Sequence, residues 1–103
     1  MWWCKRYQVP IVNFGHAGDG NIHVNVMVDL KEPGMSEKIR QVLEEIFRAT
    51  VSLGGAISGE HGIGTAKQPY IALELDPPTL AAMRAVKLAF DPDTIMNPGK
   101  MFP

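Results

Sequence analysis

Several things are scarce in this sequence, and each scarcity closes off a class of protein. There is a single cysteine, Cys4, among 103 residues. One thiol excludes an intramolecular disulfide and any cysteine-pair zinc site, and fits a reducing compartment. Neither sign of charge dominates. Ten Lys and Arg oppose eleven Asp and Glu, for a net charge of -1. A balance of that kind offers no electrostatic footprint for nucleic acid or an anionic membrane. Apolar runs are far shorter than the ~20 residues that a membrane span requires. The opening Met1-Trp2-Trp3-Cys4-Lys5-Arg6-Tyr7 lacks the apolar stretch of a secretory leader. Two tryptophans so close to the start are unusual, and are expected either to be exposed or to pack on a surface completed by other residues. What remains is ordinary for a soluble globular domain: 46% hydrophobic, 20% charged. A chain this size buries roughly 60–70% of its unfolded surface, enough for one modest core.

The local patterns predict an α+β chain. Val9 to Phe14 is an apolar run and reads as a buried strand. After a glycine-rich turn, Ile22, Val24, Val26 and Val28 alternate with Asn21, His23 and Asn25. A period of two places His23 and Asn25 side by side on one polar face. Lys31-Glu32-Pro33-Gly34 reads as a turn and Ser36 as a helix cap. A helical stripe follows through Ile39, Val42, Leu43, Ile46, Phe47, Thr50 and Val51, ended by Gly54-Gly55. Ala56-Ile57-Ser58 is expected to be a short strand, and 66–73 to contain a helical turn. Asp76 caps a last helix with Pro77 at its first position, carrying Leu80, Met83, Val86, Lys87 and Phe90 on one stripe read as core. Asp91-Pro92 stops it. The closing 97–103 segment is turn-rich and expected to lie against the body. So narrow a sheet calls for further strands or a partner to hide its edges, so self-association through a sheet edge or a bare apolar face is expected.

The chain's three histidines lie in or beside its two glycine-rich loops, Gly15–Gly20 and Gly59–Gly64. Glycine permits the tight path that would bring His16 next to His23. The second loop offers Glu60 and His61, and two histidines with one carboxylate make a donor set that leaves coordination positions open and suits zinc, manganese or iron. Spacing alone does not decide it. A histidine on a strand's polar face is more often a hydrogen-bonded surface group, and the clustering only raises a shared site to equal standing with that reading. Asp19 fits an Asx-type turn, Asn25 a satisfied strand amide, and Lys67 and Lys100 solvated cations. Neither loop fits a phosphate cradle. A strand rather than a helix follows Gly18-Asp19-Gly20, and Glu60 puts negative charge where phosphate would sit. Ser58 lacks the elbow of a serine hydrolase.

Three segments carry a specific likeness. Gly15-His16-Ala17-Gly18-Asp19-Gly20-Asn21-Ile22-His23, then Ser58-Gly59-Glu60-His61-Gly62-Ile63-Gly64, then Asp91-Pro92 with Asn97-Pro98-Gly99-Lys100 resemble, in order, motifs of the FAD-linked oxidase C-terminal domain. The resemblance covers residues 8–103. The family includes D-lactate, glycolate and D-2-hydroxyglutarate dehydrogenases of the vanillyl-alcohol-oxidase type. It implies part of a ferredoxin-like α+β substrate (cap) domain, with a small antiparallel sheet packed against helices. FAD would be held mainly by a separate N-terminal domain absent from these 103 residues. It further implies His16, His23 and Glu60 as divalent-metal ligands, Asn25 as a substrate contact, His61 as substrate contact and general base, and Asn97 near the flavin. Lys67 matches a basic position without an assignable role.

The implied reaction is oxidation of a D-2-hydroxy acid to the 2-oxo acid, with hydride passing to FAD. The chain by itself is expected to be inactive. A separate FAD-domain polypeptide is the implied partner, and a cytoplasmic setting, peripheral to a membrane at most through a larger complex, is the expected location. The alternatives are a non-catalytic assembly module completing a flavoprotein in trans and a small metal-binding protein.

Overall fold

The computed structural model describes residues 2–103. Expectations for the side chains of Trp2 and Trp3 lie outside the described residues. The order is helix α1 (Trp2–Tyr7), strands β1 (Ile11–His16) and β2 (Asn21–Val26), helix α2 (Met35–Ser52), a 3₁₀ segment over Gln68–Leu73, and helix α3 (Pro77–Phe90). This is an α+β arrangement with one two-stranded antiparallel sheet. The chain divides into two compact units, Met1–Ala49 and Thr50–Pro103.

In the first unit, β1 and β2 form a hairpin in the register Ile11↔Val26, Asn13↔Val24, Gly15↔Ile22 on one face and Val12↔Asn25, Phe14↔His23, His16↔Asn21 on the other. Val9, Val42 and Ile46 are the core, and Ile11, Val24 and Val26 of the inner face, with Val28 beyond the end of β2, pack against it. The amphipathic stripe of α2 thus covers one side of the sheet, and Val42 is fully buried there. α1 is tied to α2 through Glu45, whose Oε1 accepts from Arg6 Nη1 at 2.9 Å and from the Tyr7 hydroxyl at 2.7 Å. Donation to that carboxylate raises the Tyr7 pKa.

Two expectations fail in this unit. The apolar run 9–14 is not a buried strand. Val9 is buried, but Val12 is 52% and Phe14 61% exposed. A two-stranded sheet with one covered face must leave every second residue outward, whatever its hydrophobicity. Ser36 does not cap α2, which begins one residue earlier at Met35 and lies within its first turn. At the far end Gly54, with φ +81°, stops the helix as expected. Its N–H donates to Val51 O and that of Gly55 to Thr50 O, the paired bonds of a Schellman ending.

In the second unit, Ile57 is buried, yet Ala56–Ser58 forms no strand. Instead the Ile57 N–H donates to Glu74 Oε2 at 2.9 Å, and its carbonyl accepts from Lys67 Nζ at 2.8 Å. Side chains take the place of a ladder, and Lys67 is a structural brace rather than a solvated cation. Asp76 caps α3 as expected, its Oδ1 accepting from Thr79 N–H at 2.9 Å, and the bond lowers its pKa.

The stripe on α3 is not core: the helix has no buried residue, and Val86 and Phe90 are 60% and 85% exposed. Met83 and Val86 line an open apolar groove of about 410 Å³ with Asn97, Lys100 and Phe102. Helical spacing identifies a face that prefers cover, but it does not supply the cover. The closing segment folds back as expected. Met101 N–H donates to Gly64 O at 2.7 Å, and Gln68 Nε2 to Phe102 O. Its turn is held by Asp91, 5% exposed, which accepts from Ile95 N–H, Met96 N–H and Lys87 Nζ.

Candidate metal centre

The first glycine loop is shaped by hard sterics. A Cβ on Gly15 would sit 2.2 Å from Asn21 O and 2.9 Å from Ile22 Cα. Only glycine lets the strands approach this closely at the mouth of the hairpin. Ala17–Asp19 makes one 3₁₀ turn, and Gly20, in the left-handed region at φ +67°, returns the chain to β2. His16 and His23 therefore occupy diagonal positions on the outer face, where side chains reach one another across a pair of strands. Their ring centres are 6.5 Å apart with an interplanar angle of 73°.

A shared cation would need the two rings closer together. Nitrogen–metal bonds of about 2.0–2.1 Å put an ion roughly 3 Å from each ring centre. Two ligands of a tetrahedral ion therefore stand with ring centres roughly 5 Å apart, so rings at 6.5 Å need a closing movement of their side chains to share one. His16 is exposed and His23 half-buried, so the nitrogens are within reach of a ligand from solvent. Asn25 shares the face and donates from Nδ2 to Val12 O at 3.4 Å. That contact is consistent with a satisfied strand amide. A second hydrogen on the same nitrogen suits a further acceptor.

In the second unit Glu60 and His61 both lie exposed in the irregular 59–64 loop, with His61 Nε2 3.7 Å from Glu60 Oε1. The carboxylate is the type of oxygen donor that completes a His/His/carboxylate set. Asn97, at φ +47°, lies on the lining of the apolar groove in the same unit. Sequence reasoning missed Phe14, whose ring stacks on His23 with centres 4.9 Å apart and planes inclined by 28°. The signal was parity: once His16 ends β1 on the outer face, Phe14 must share it. A continuous apolar run conceals parity.

The motif order agrees with comparison to known proteins. Residues 3–101 match the family model of FAD linked oxidases, C-terminal domain. The chain belongs to that family. It is 46% identical over 97 residues to glycolate oxidase subunit GlcD of Bacillus subtilis, covering 94% of this chain and 21% of that protein. It is 41% identical over 97 residues to a D-lactate dehydrogenase of Archaeoglobus fulgidus, covering 94% and 21%. To a D-2-hydroxyglutarate dehydrogenase of Stutzerimonas stutzeri it is 42% identical over 97 residues, covering 89% and 20%. The chain thus spans about a fifth of the length of these relatives. Among the described residues no helix is long and apolar enough to cross a membrane.

Proposed function

We propose that these 103 residues supply the substrate-side chemistry of an FAD-dependent 2-hydroxy-acid dehydrogenase. The flavin would be held mainly by residues outside them, in the same polypeptide or in a partner. The carrying observation is the diagonal His16–His23 pair on the open face of the hairpin.

In this reading His16 and His23 give neutral imidazole nitrogens, and Glu60 a carboxylate oxygen, to a divalent cation: zinc, manganese or iron. When bound, the cation supplies Lewis-acid stabilisation of the substrate's hydroxyl oxygen, and flavin the hydride acceptor. Asn25, beside His23 on the same strand, turns an amide hydrogen to the substrate carboxylate. His61 takes the hydroxyl proton on an imidazole nitrogen, general-base help on the order of 10²–10⁴-fold. At 72% side-chain exposure His61 has no shelter of its own. Other parts of the enzyme exclude water from it, and Asn97 approaches the flavin from the groove. The ferredoxin-like character of the complete substrate domain, its cytoplasmic setting, and self-association of the isolated chain through its sheet edge belong to the same reading.

Calorimetric titration with zinc and with manganese tests it. The expected result is one ion per chain, weakened by at least about 100-fold, the upper end for loss of a mere supporting partner, in His16→Ala, His23→Ala and Glu60→Gln. Equal affinity in all four proteins refutes the ligand set. The unassisted chain is expected to bind no stoichiometric flavin and to leave 2-hydroxy acids unoxidised. A yellow preparation would overturn the division of labour.

A further inference from the structure

We propose that Phe14 is a positioning residue for His23: its ring fixes the plane in which the imidazole presents its ligating nitrogen. The inference rests on the reading of His23 as a cation ligand. Phe14 and His23 are directly opposed across the hairpin on its outer face. Their rings stack at 4.9 Å with planes inclined by 28°, while His16 meets His23 edge-on at 73°. Phe14 is 61% exposed and stands outside the core formed by Val9, Val42 and Ile46. Its size is therefore not explained by filling the interior. The register leaves this ring on the outer face, and there the imidazole of His23 lies against it.

The physical need is specific. The terminal torsion of histidine is broad and roughly two-fold, so an imidazole on an open sheet face sweeps through a range of ring planes. A ligand that sweeps must be ordered when the ion binds, and affinity falls by that cost. Metal-binding histidines are commonly held by a hydrogen bond to the second ring nitrogen. Stacking on Phe14 restrains the ring by its face, whatever its nitrogens bond to, and leaves both nitrogens, which lie in the ring plane, uncovered by the phenyl. Direct opposition in the sheet makes the pairing a consequence of register. The same register places His16 on the next diagonal, so Phe14 orients the member of the pair that must turn toward it.

The test uses the 103-residue chain with Phe14→Ala, Phe14→Leu and Phe14→Tyr. Without metal, NMR of the wild type is expected to show ring-current-shifted His23 ring protons and an ordered His23 side chain. Both features should vanish in F14A and F14L and persist in F14Y. Zinc affinity should fall about 10–100-fold in F14A and F14L, the range for loss of a group that orients a ligand, and be retained in F14Y. The thermal midpoint should stay near wild type in all three, because the ring is exposed. The inference is overturned if F14L binds zinc as the wild type does, if His23 is equally ordered without the phenyl ring, or if the loss of affinity merely follows a loss of folding. Should the wild type bind no zinc, the ligand assignment fails, and the His23 ordering alone then decides whether Phe14 positions the ring.

Discussion

The two glycine-rich segments look alike in composition, yet they are held by different means. The first, 15–20, is closed by main-chain pairing on both sides: β1 and β2 meet at Gly15 and Asn21 so closely that a methyl group has no room. The second, 59–64, is itself part of no strand. It hangs between Ile57, gripped by Glu74 and Lys67, and Gly64, whose carbonyl accepts from Met101 N–H. A loop set by backbone register is intolerant of volume at one position. A loop set by side-chain braces is sensitive to residues remote from it in sequence. Both means can present a ligand, but they fail differently.

Substitutions separate the two. The largest effect is expected for Gly15→Ala. Its Cβ meets backbone at 2.2 Å, and backbone cannot swing aside as a side chain does. A loss of about 3 kcal/mol, the upper part of the overpacking range, should appear in chemical denaturation, together with disappearance of the His16–His23 ring contact by NMR. If Gly15→Ala were silent, register would not be what shapes the first loop. Next comes Glu74→Ala, which strips the acceptor from the Ile57 N–H. Leaving that half-buried donor unpaired should cost roughly 1–3 kcal/mol, with amide exchange accelerating at Ile57 while β1 and β2 keep their protection. Acceleration in the hairpin instead would show that the braces act globally.

Acid is expected to act locally and more gently. Lys87, and then the N–H groups of Met96 and Ile95, hold the Asp91 carboxyl below its ordinary value of 3.8. A depressed folded-state pKa stabilises the turn above the unfolded value, and that contribution is lost as pH falls through the lower folded one. Exchange at Ile95 and Met96 should therefore quicken below about pH 4 before the hairpin, whose bonds are main chain to main chain, responds. Asp91→Asn should flatten that dependence. The smallest effect is expected for Gly18→Ala, three residues beyond Gly15. Nothing lies within 4 Å of its added Cβ and its φ is not in the left-handed region. A change within about 1 kcal/mol, if anything stabilising through the unfolded chain, should be seen in the same denaturation experiment.

Much of this was legible in residue order. The β2 alternation, the Gly54 ending of α2, the Asp76 cap and Asp91-Pro92 stop of α3 are each decided by groups a few residues apart, and all stand in the structure. The His16–His23 pairing was legible because hairpin register follows from a short glycine turn. The misreadings share one cause. Val9–Phe14 as a buried strand, Ala56–Ser58 as a strand and the α3 stripe as core are all statements about neighbours. Apolar pattern shows which residues gain from cover, but whether cover exists is a property of the assembled chain.

Local stereochemistry in the sequence therefore determined the hairpin, the helix limits, the glycine turns and the motifs that mark the family, since hydrogen bonds between near residues and the steric demands of glycine and proline act without regard to the rest of the molecule. Tertiary structure alone decided which sheet face met α2, and hence that Phe14 turned outward onto His23. It also decided that Lys67 and Glu74 would serve Ile57 in place of a strand, and that Asp91 would gather the turn after α3. Those outcomes depend on which surfaces exclude water together, and burial is settled only when distant segments meet.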